Sequence, residues 1–134
     1  MTGNAADWSK ELHAQLEKEL TEVVGDFVDL MQTGLDKLVD RSPVRSGQFK
    51  ANWTVSIGEP DAGVIEARDK DGAETKARGA AVLHGYPVGS FPPVYIQNNV
   101  SYASELEHGK SDQAPQGMLA LTVVELNALM EARK

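Results

Sequence analysis

Residues 7–41, DWSKELHAQLEKELTEVVGDFVDLMQTGLDKLVDR, decide the fold. Trp8, Leu12, Leu16, Leu20, Val23/Val24, Phe27/Val28, Leu30/Met31, Leu35 and Leu38/Val39 recur at spacings of three and four, the period of one face of an α-helix. Asn4 or Asp7 supplies an N-cap, and Ser42-Pro43 ends the run because a proline disfavours helical geometry at the residue before it. Gly25 and Gly34 lie inside the run, and each costs about 1 kcal/mol relative to alanine there. Each therefore marks a bend or a close approach by another backbone. A straight helix of roughly 35 residues spans ~52 Å, whereas a compact chain of this length measures only ~35–40 Å across. The helix is expected to bend, overhang, or be covered by something else. Nine acids and four bases in residues 1–41 read as a solvated outer face.

Beyond this helix the period changes to two. Phe49, Ala51, Trp53, Val55 and Ile57 alternate with polar residues and predict a half-buried strand. The turn formers of 58–63 then lead into Val64-Ile65-Glu66-Ala67-Arg68, which reads as the returning strand of a hairpin. Residues 69–79, DKDGAETKARG, are charged and poor in large apolar side chains, as a mobile loop or a short helix would be. Glycines and prolines make 80–93 irregular, so the stretch 69–93 is expected to hold a mobile loop. Residues 94–98, VYIQN, have strand character, and 101–108 hold one or two helical turns stopped by Gly109. Pro115 opens a closing helix carrying Met118, Leu119, Leu121, Val123/Val124, Leu126, Leu129 and Met130. The order gives an α+β fold: a long N-terminal helix and a C-terminal helix packed on a small antiparallel sheet.

With 134 residues the chain makes one domain, 1–134. A net charge of -7 argues against a general binder of duplex DNA or anionic membranes. The absence of cysteine removes disulfides, thiolate metal sites and a cysteine nucleophile. Neither a secretory leader nor an apolar run of membrane-spanning length is present, so synthesis in, and retention by, a cytoplasm until assembly is expected.

Catalytic patterns are weak. Ser104 replaces the first glycine of a phosphate loop in the stretch 104–111, and no parallel strand precedes it. His13, His84 and His108 form no helical zinc pair, although Glu105 and His108 share a helical face. No G-x-S-x-G occurs. The residues point to no enzyme, cofactor or metal site, leaving a hydrolase built on His84 or His108 as a distant alternative. Basic side chains gather at Arg41/Arg45/Lys50 and at Arg68/Lys70/Lys76/Arg78. The second group reads as a solvated loop or as an arm that docks on an acidic neighbour. Tyr86 and Phe91 are candidate anchors for the same contact.

Two segments carry a resemblance. Ser42-Pro43-Val44-Arg45-Ser46-Gly47-Gln48-Phe49, between a long helix and a strand, resembles the Pro-Val-x-(Thr/Ser)-Gly-x-Leu/Phe element of the head-to-tail joining and tail-completion (neck) proteins of tailed bacteriophages. Tyr102-Ala103-Ser104-Glu105-Leu106-Glu107-His108-Gly109, followed by Ala114-Pro115 and an amphipathic helix, is similar to their second element, Tyr-Ala-x-x-(Leu/Val)-Glu-x-Gly. The stretch 69–93 departs from the shorter members. The resemblance implies a virion protein that forms a ring, typically a hexamer, at the head-to-tail junction or as a cap on the tail tube, with other neck and tail proteins as partners. Its motif residues, Pro43, Val44, Ser46, Gly47, Phe49, Tyr102, Ala103, Leu106, Glu107 and Gly109, are then structural. A neck or tail module that contacts DNA or a host factor through 68–78 is the alternative.

Overall fold

A computed structural model describes residues 5–44, 47–107 and 118–132. The elements run α1 (Ala5–Arg41), α2 (Gln48–Ala51), β1 (Trp53–Ile57), α3 (Ala73–His84), β2 (Val94–Asn98), α4 (Ala103–Glu107) and α5 (Leu119–Ala132). The fold is α+β, with the long N-terminal and C-terminal helices expected from the sequence.

α1 is rooted at its C-terminal end. Leu35, Leu38 and Val39 join Phe49, Trp53, Val55, Leu83, Val100 and Met118 in the core, and Val24 is the first buried residue along the helix. Residues 5–23 therefore overhang, which resolves the mismatch between helix length and domain size. Ser42 closes the helix by donating its hydroxyl to the Leu38 carbonyl at 2.6 Å and accepting the Trp53 indole N–H at 2.7 Å. One hydroxyl thus ties the end of α1 to the start of β1.

The strand expected from Phe49 is corrected. Gln48–Ala51 is a helical turn, and β1 begins only at Trp53. Gly47, at φ 79°, reverses the chain, and its carbonyl accepts the Ala51 amide at 3.0 Å. Asn52 closes the turn by donating its side-chain amide to the Gln48 carbonyl at 2.8 Å. Phe49, Lys50 and Ala51 are all buried, as a turn of helix pressed into a corner permits and a one-faced strand does not.

The returning strand at 64–68 is also corrected. β1 pairs antiparallel with β2, from Trp53 opposite Asn98 to Ile57 opposite Val94. Residues 64–68 form neither helix nor strand. Ile65 is instead held by one side chain: Asn52 Nδ2 donates to its carbonyl at 2.9 Å, and Asn52 Oδ1 accepts its amide at 2.7 Å. That amide takes both backbone groups of Ile65, the pairing a neighbouring strand would otherwise supply.

The expectation of a mobile loop across 69–93 gives way at α3, which occupies 73–84 and packs on both α1 and β1. Its inward face is Thr75, Gly79 and Leu83, spaced by four. A Cβ placed on Gly79 would stand 2.1 Å from Leu35 Cδ2, so the glycine is what lets α3 cross α1 this closely. Asp69 caps the helix from outside it: Oδ1 accepts the Gly72 amide at 3.1 Å, and Oδ2 accepts the Thr75 amide at 2.8 Å and its hydroxyl at 2.7 Å. Burial disfavours the Asp69 charge, but the bonds from Thr75 and Gly72 outweigh it and hold the carboxyl below its ordinary range.

α5 lies antiparallel on α1. Leu126 sits against Gly34, where an added Cβ would be 2.9 Å from its Cδ1, so Gly34 marks a close approach by a side chain and not, as expected, by another backbone. Among the described residues, nothing outside the local helix backbone lies within 4 Å of the corresponding position on Gly25. Glu125 binds Lys37 at 2.5 Å and also Arg41, and Arg41 donates to the Thr122 hydroxyl at 3.0 Å. The Lys37 and Arg41 side chains hold the Glu125 carboxyl below its ordinary range.

Candidate functional site

The two motif segments meet. Phe49 of the first and Tyr102 of the second pack with ring centroids 6.1 Å apart, and the Tyr102 hydroxyl lies 3.4 Å from Gln48 Oε1. Pro43 is buried and Val44 is exposed. A Cβ on Gly47 would stand 2.8 Å from the Asp69 amide nitrogen, and that amide donates to the Gly47 carbonyl at 3.0 Å. The first motif thus seats the loop that caps α3.

In the second motif, Ala103 opens α4 with its amide on the Val100 carbonyl, and both Ala103 and Leu106 pack on the core. Glu107 has a role that spacing did not reveal. Its Oε1 accepts the amides of Met118 at 2.9 Å and Leu119 at 2.7 Å, and its Oε2 accepts that of Ala120 at 3.1 Å. It caps α5 from the preceding helix, satisfying first-turn amides that have no partner within their own helix. Ser46, His108 and Gly109 lie outside the described residues.

The candidate partner contacts divide. Lys76 reaches Asp40 at 2.6 Å, and that carboxylate pushes its ammonium above the usual lysine range. Arg78 donates to the carbonyls of Ala51 at 2.7 Å and Trp53 at 3.2 Å, binding α3 to the start of β1. Tyr86 is buried beside Phe27, with its hydroxyl on the Pro92 carbonyl at 2.7 Å. These three are engaged within the subunit's own fold. Arg68, Lys70 and Phe91 are exposed.

His13 and His84 are exposed, and among the described residues no three His, Asp or Glu side chains are grouped so as to hold a metal ion. A cleft of about 240 Å³ opens between β2, α4 and the start of α5, lined mainly by Phe49, Trp53, Ile96, Met118 and Leu119. Its polar lining is committed to the fold: Glu107 caps α5, and Asn98 donates to the Phe49 carbonyl at 2.8 Å while its Oδ1 faces the Val100 amide. Such a cleft offers packing rather than the convergent polar groups that orient a substrate.

Among the described residues the candidate site is a surface. On the overhang of α1, Trp8, Leu12, Leu16 and Val23 are 63, 53, 50 and 53% exposed. On α5, Leu119, Val123, Val124 and Met130 are 48, 47, 66 and 50% exposed, while the buried residue of that helix is Thr122. A helix apolar on every side is normally enclosed. The expectation of an amphipathic closing helix did not bring out this exposure. No described helix is long and apolar enough to cross a membrane. Comparison with models of known protein families, with curated proteins and with solved structures finds no match to this chain.

Proposed function

We propose that this chain is a structural virion protein of a tailed phage or prophage, assembling with its own copies into a ring at the head-to-tail interface or on the end of the tail tube. The observation that carries the reading is the amount of large apolar surface left bare on α1 and α5 of a single subunit. The motif residues agree with it, since Gly47, Phe49, Tyr102 and Glu107 spend their chemistry on holding elements together. The reading has no catalytic step, cofactor or metal in it; its partners are further copies and other neck and tail proteins. A sixfold ring is what the motif resemblance implies.

The alternative, a module that contacts DNA or a host factor through 68–78, loses support because Lys76 and Arg78 are engaged within the subunit. Mass measurement in solution together with class averages of any particle tests the reading. A closed ring of identical subunits without nucleic-acid affinity is expected. A monomer at every concentration and in the assembled particle overturns it, and strongly salt-dependent DNA binding transfers the case to the alternative.

A further inference from the structure

α1 carries one ridge along its whole length, and α5 covers only part of it. At ~100° per residue, Trp8, Leu12, Leu16 and Val23 fall on the same side of α1 as Gly34 and Arg41, which contact α5. Because α5 runs antiparallel from Leu126 at Gly34, its last six described residues advance only ~9 Å, to about the level of Val28. The ridge from Val23 to Trp8 continues the same face, and among the described residues its four large apolar side chains are each at least half exposed.

α5 has the reciprocal excess. Thr122, Glu125 and Leu126 face α1. About a quarter turn away, Leu119, Val123 and Met130 form a second exposed apolar strip. It cannot reach the bare ridge of its own chain, because α5 is already fixed at the other end of α1. Resting on the assembly reading above, we infer that the occupant of each face is the other face of a second copy. The overhang of one subunit lies along the Leu119–Val123–Met130 strip of the next.

Length and charge select this pairing over two overhangs packed together. Residues 8–23 extend ~22 Å and residues 119–130 extend ~17 Å, so the strips match to about one helical turn. The overhang, 5–23, holds five acids and two bases; Glu19 falls within its apolar stripe, and Glu11 and Glu22 border it on one side. Self-pairing brings those carboxylates together, whereas the α5 strip is apolar and Glu125 is turned toward Lys37 and Arg41. Two different patches on one chain make a head-to-tail contact, which closes into a ring when the rotation permits.

The chain has no cysteine, so engineered pairs report without background. Leu12→Cys and Val123→Cys, both at exposed positions, are prepared as separate full-length chains, mixed, oxidised mildly and separated without reductant. The mixed disulfide is expected to exceed either self-disulfide several-fold, and a chain carrying both substitutions is expected to give a covalent ladder beyond dimer. A dominant Leu12→Cys self-disulfide overturns the inference in favour of paired overhangs. No disulfide, with rings still present by mass, overturns it and leaves the assembly reading standing. No disulfide and only monomer overturns both.

Discussion

Leu119 donates its backbone amide to the Glu107 carboxylate at 2.7 Å, so the helix that closes the chain is capped by a residue of the helix before it. Glu107→Ala should destabilise the subunit by about 1–2 kcal/mol, the usual cost of losing a charged cap. Glu107→Gln should cost less, since it keeps one acceptor. Urea unfolding measures both, and an unchanged midpoint for the alanine variant would remove the capping role.

Gly47 and Gly58 separate two effects. Both have positive φ, 79° and 89°, but only Gly47 has backbone within reach of a Cβ. Alanine at Gly58 should cost about 1 kcal/mol for its conformation alone. Alanine at Gly47 should cost clearly more, and Gly47→Val more again, because the added carbon meets the Asp69 amide. Equal losses at the two glycines would show that the contact with Asp69 is unimportant.

Gly79 gives a sign test. Alanine there gains about 1 kcal/mol of helix propensity but pushes into the buried Leu35, an overpacking cost of about 1–3 kcal/mol. A lowered Tm is expected for Gly79→Ala. A raised Tm would mean that Leu35 has room to move aside.

Hydrogen exchange checks α3 as part of the subunit itself. The amides of Thr75, Gly79 and Leu83 should be protected in unassembled protein, because their side chains or Cα atoms are buried against α1 and β1. Fast exchange there, slowed only on assembly, would restore the picture of a docking arm.

The pH dependence has two limbs. Asp69 and Glu125 have carboxyls held below their ordinary range when folded, so their stabilisation is fully present above the unfolded value of about 4 and is lost as pH falls through the lower folded value. Lys76 is shifted upward, so its contribution is present below about 10.5 and is lost as pH rises through the folded value. The urea midpoint should therefore decline at both extremes. Glu125→Gln should make the acid limb shallower and Lys76→Met the alkaline limb. If Glu125→Gln and Asp69→Asn both leave the acid limb unchanged, other carboxylates control it.

α1 was legible because its apolar period is local and long, and β2 because Val94-Tyr95-Ile96 is a short run of strand-forming residues bounded by prolines and asparagines. The hairpin was misread because turn formers at 58–63 suggest a near partner, whereas β1 pairs with a strand beyond α3. Such non-local pairing leaves no mark near β1. α3 was obscure because its inward face uses Thr75 and Gly79, small residues that pack closely without raising apolar content. Of the surface, the α1 stripe could be read directly, whereas α5 reads as an amphipathic closing helix and its exposed apolar side chains come from the structure. The inward use of Lys76, Arg78 and Tyr86 could not, since a charge or an aromatic ring in sequence does not say which way it faces.

The clamp on α1 also has a mechanical meaning. Gly34, Lys37 and Arg41 are held by Leu126, Glu125 and Thr122, while Trp8 lies some 26 residues away along one rigid rod. A rod of that length is ~39 Å, so a tilt of about 5° at the clamp displaces its tip by roughly 3 Å. Small changes in how Leu126 seats on Gly34 are thereby magnified at Trp8. Substitutions deep in the α1–α5 contact are levers on where the far end of the molecule points.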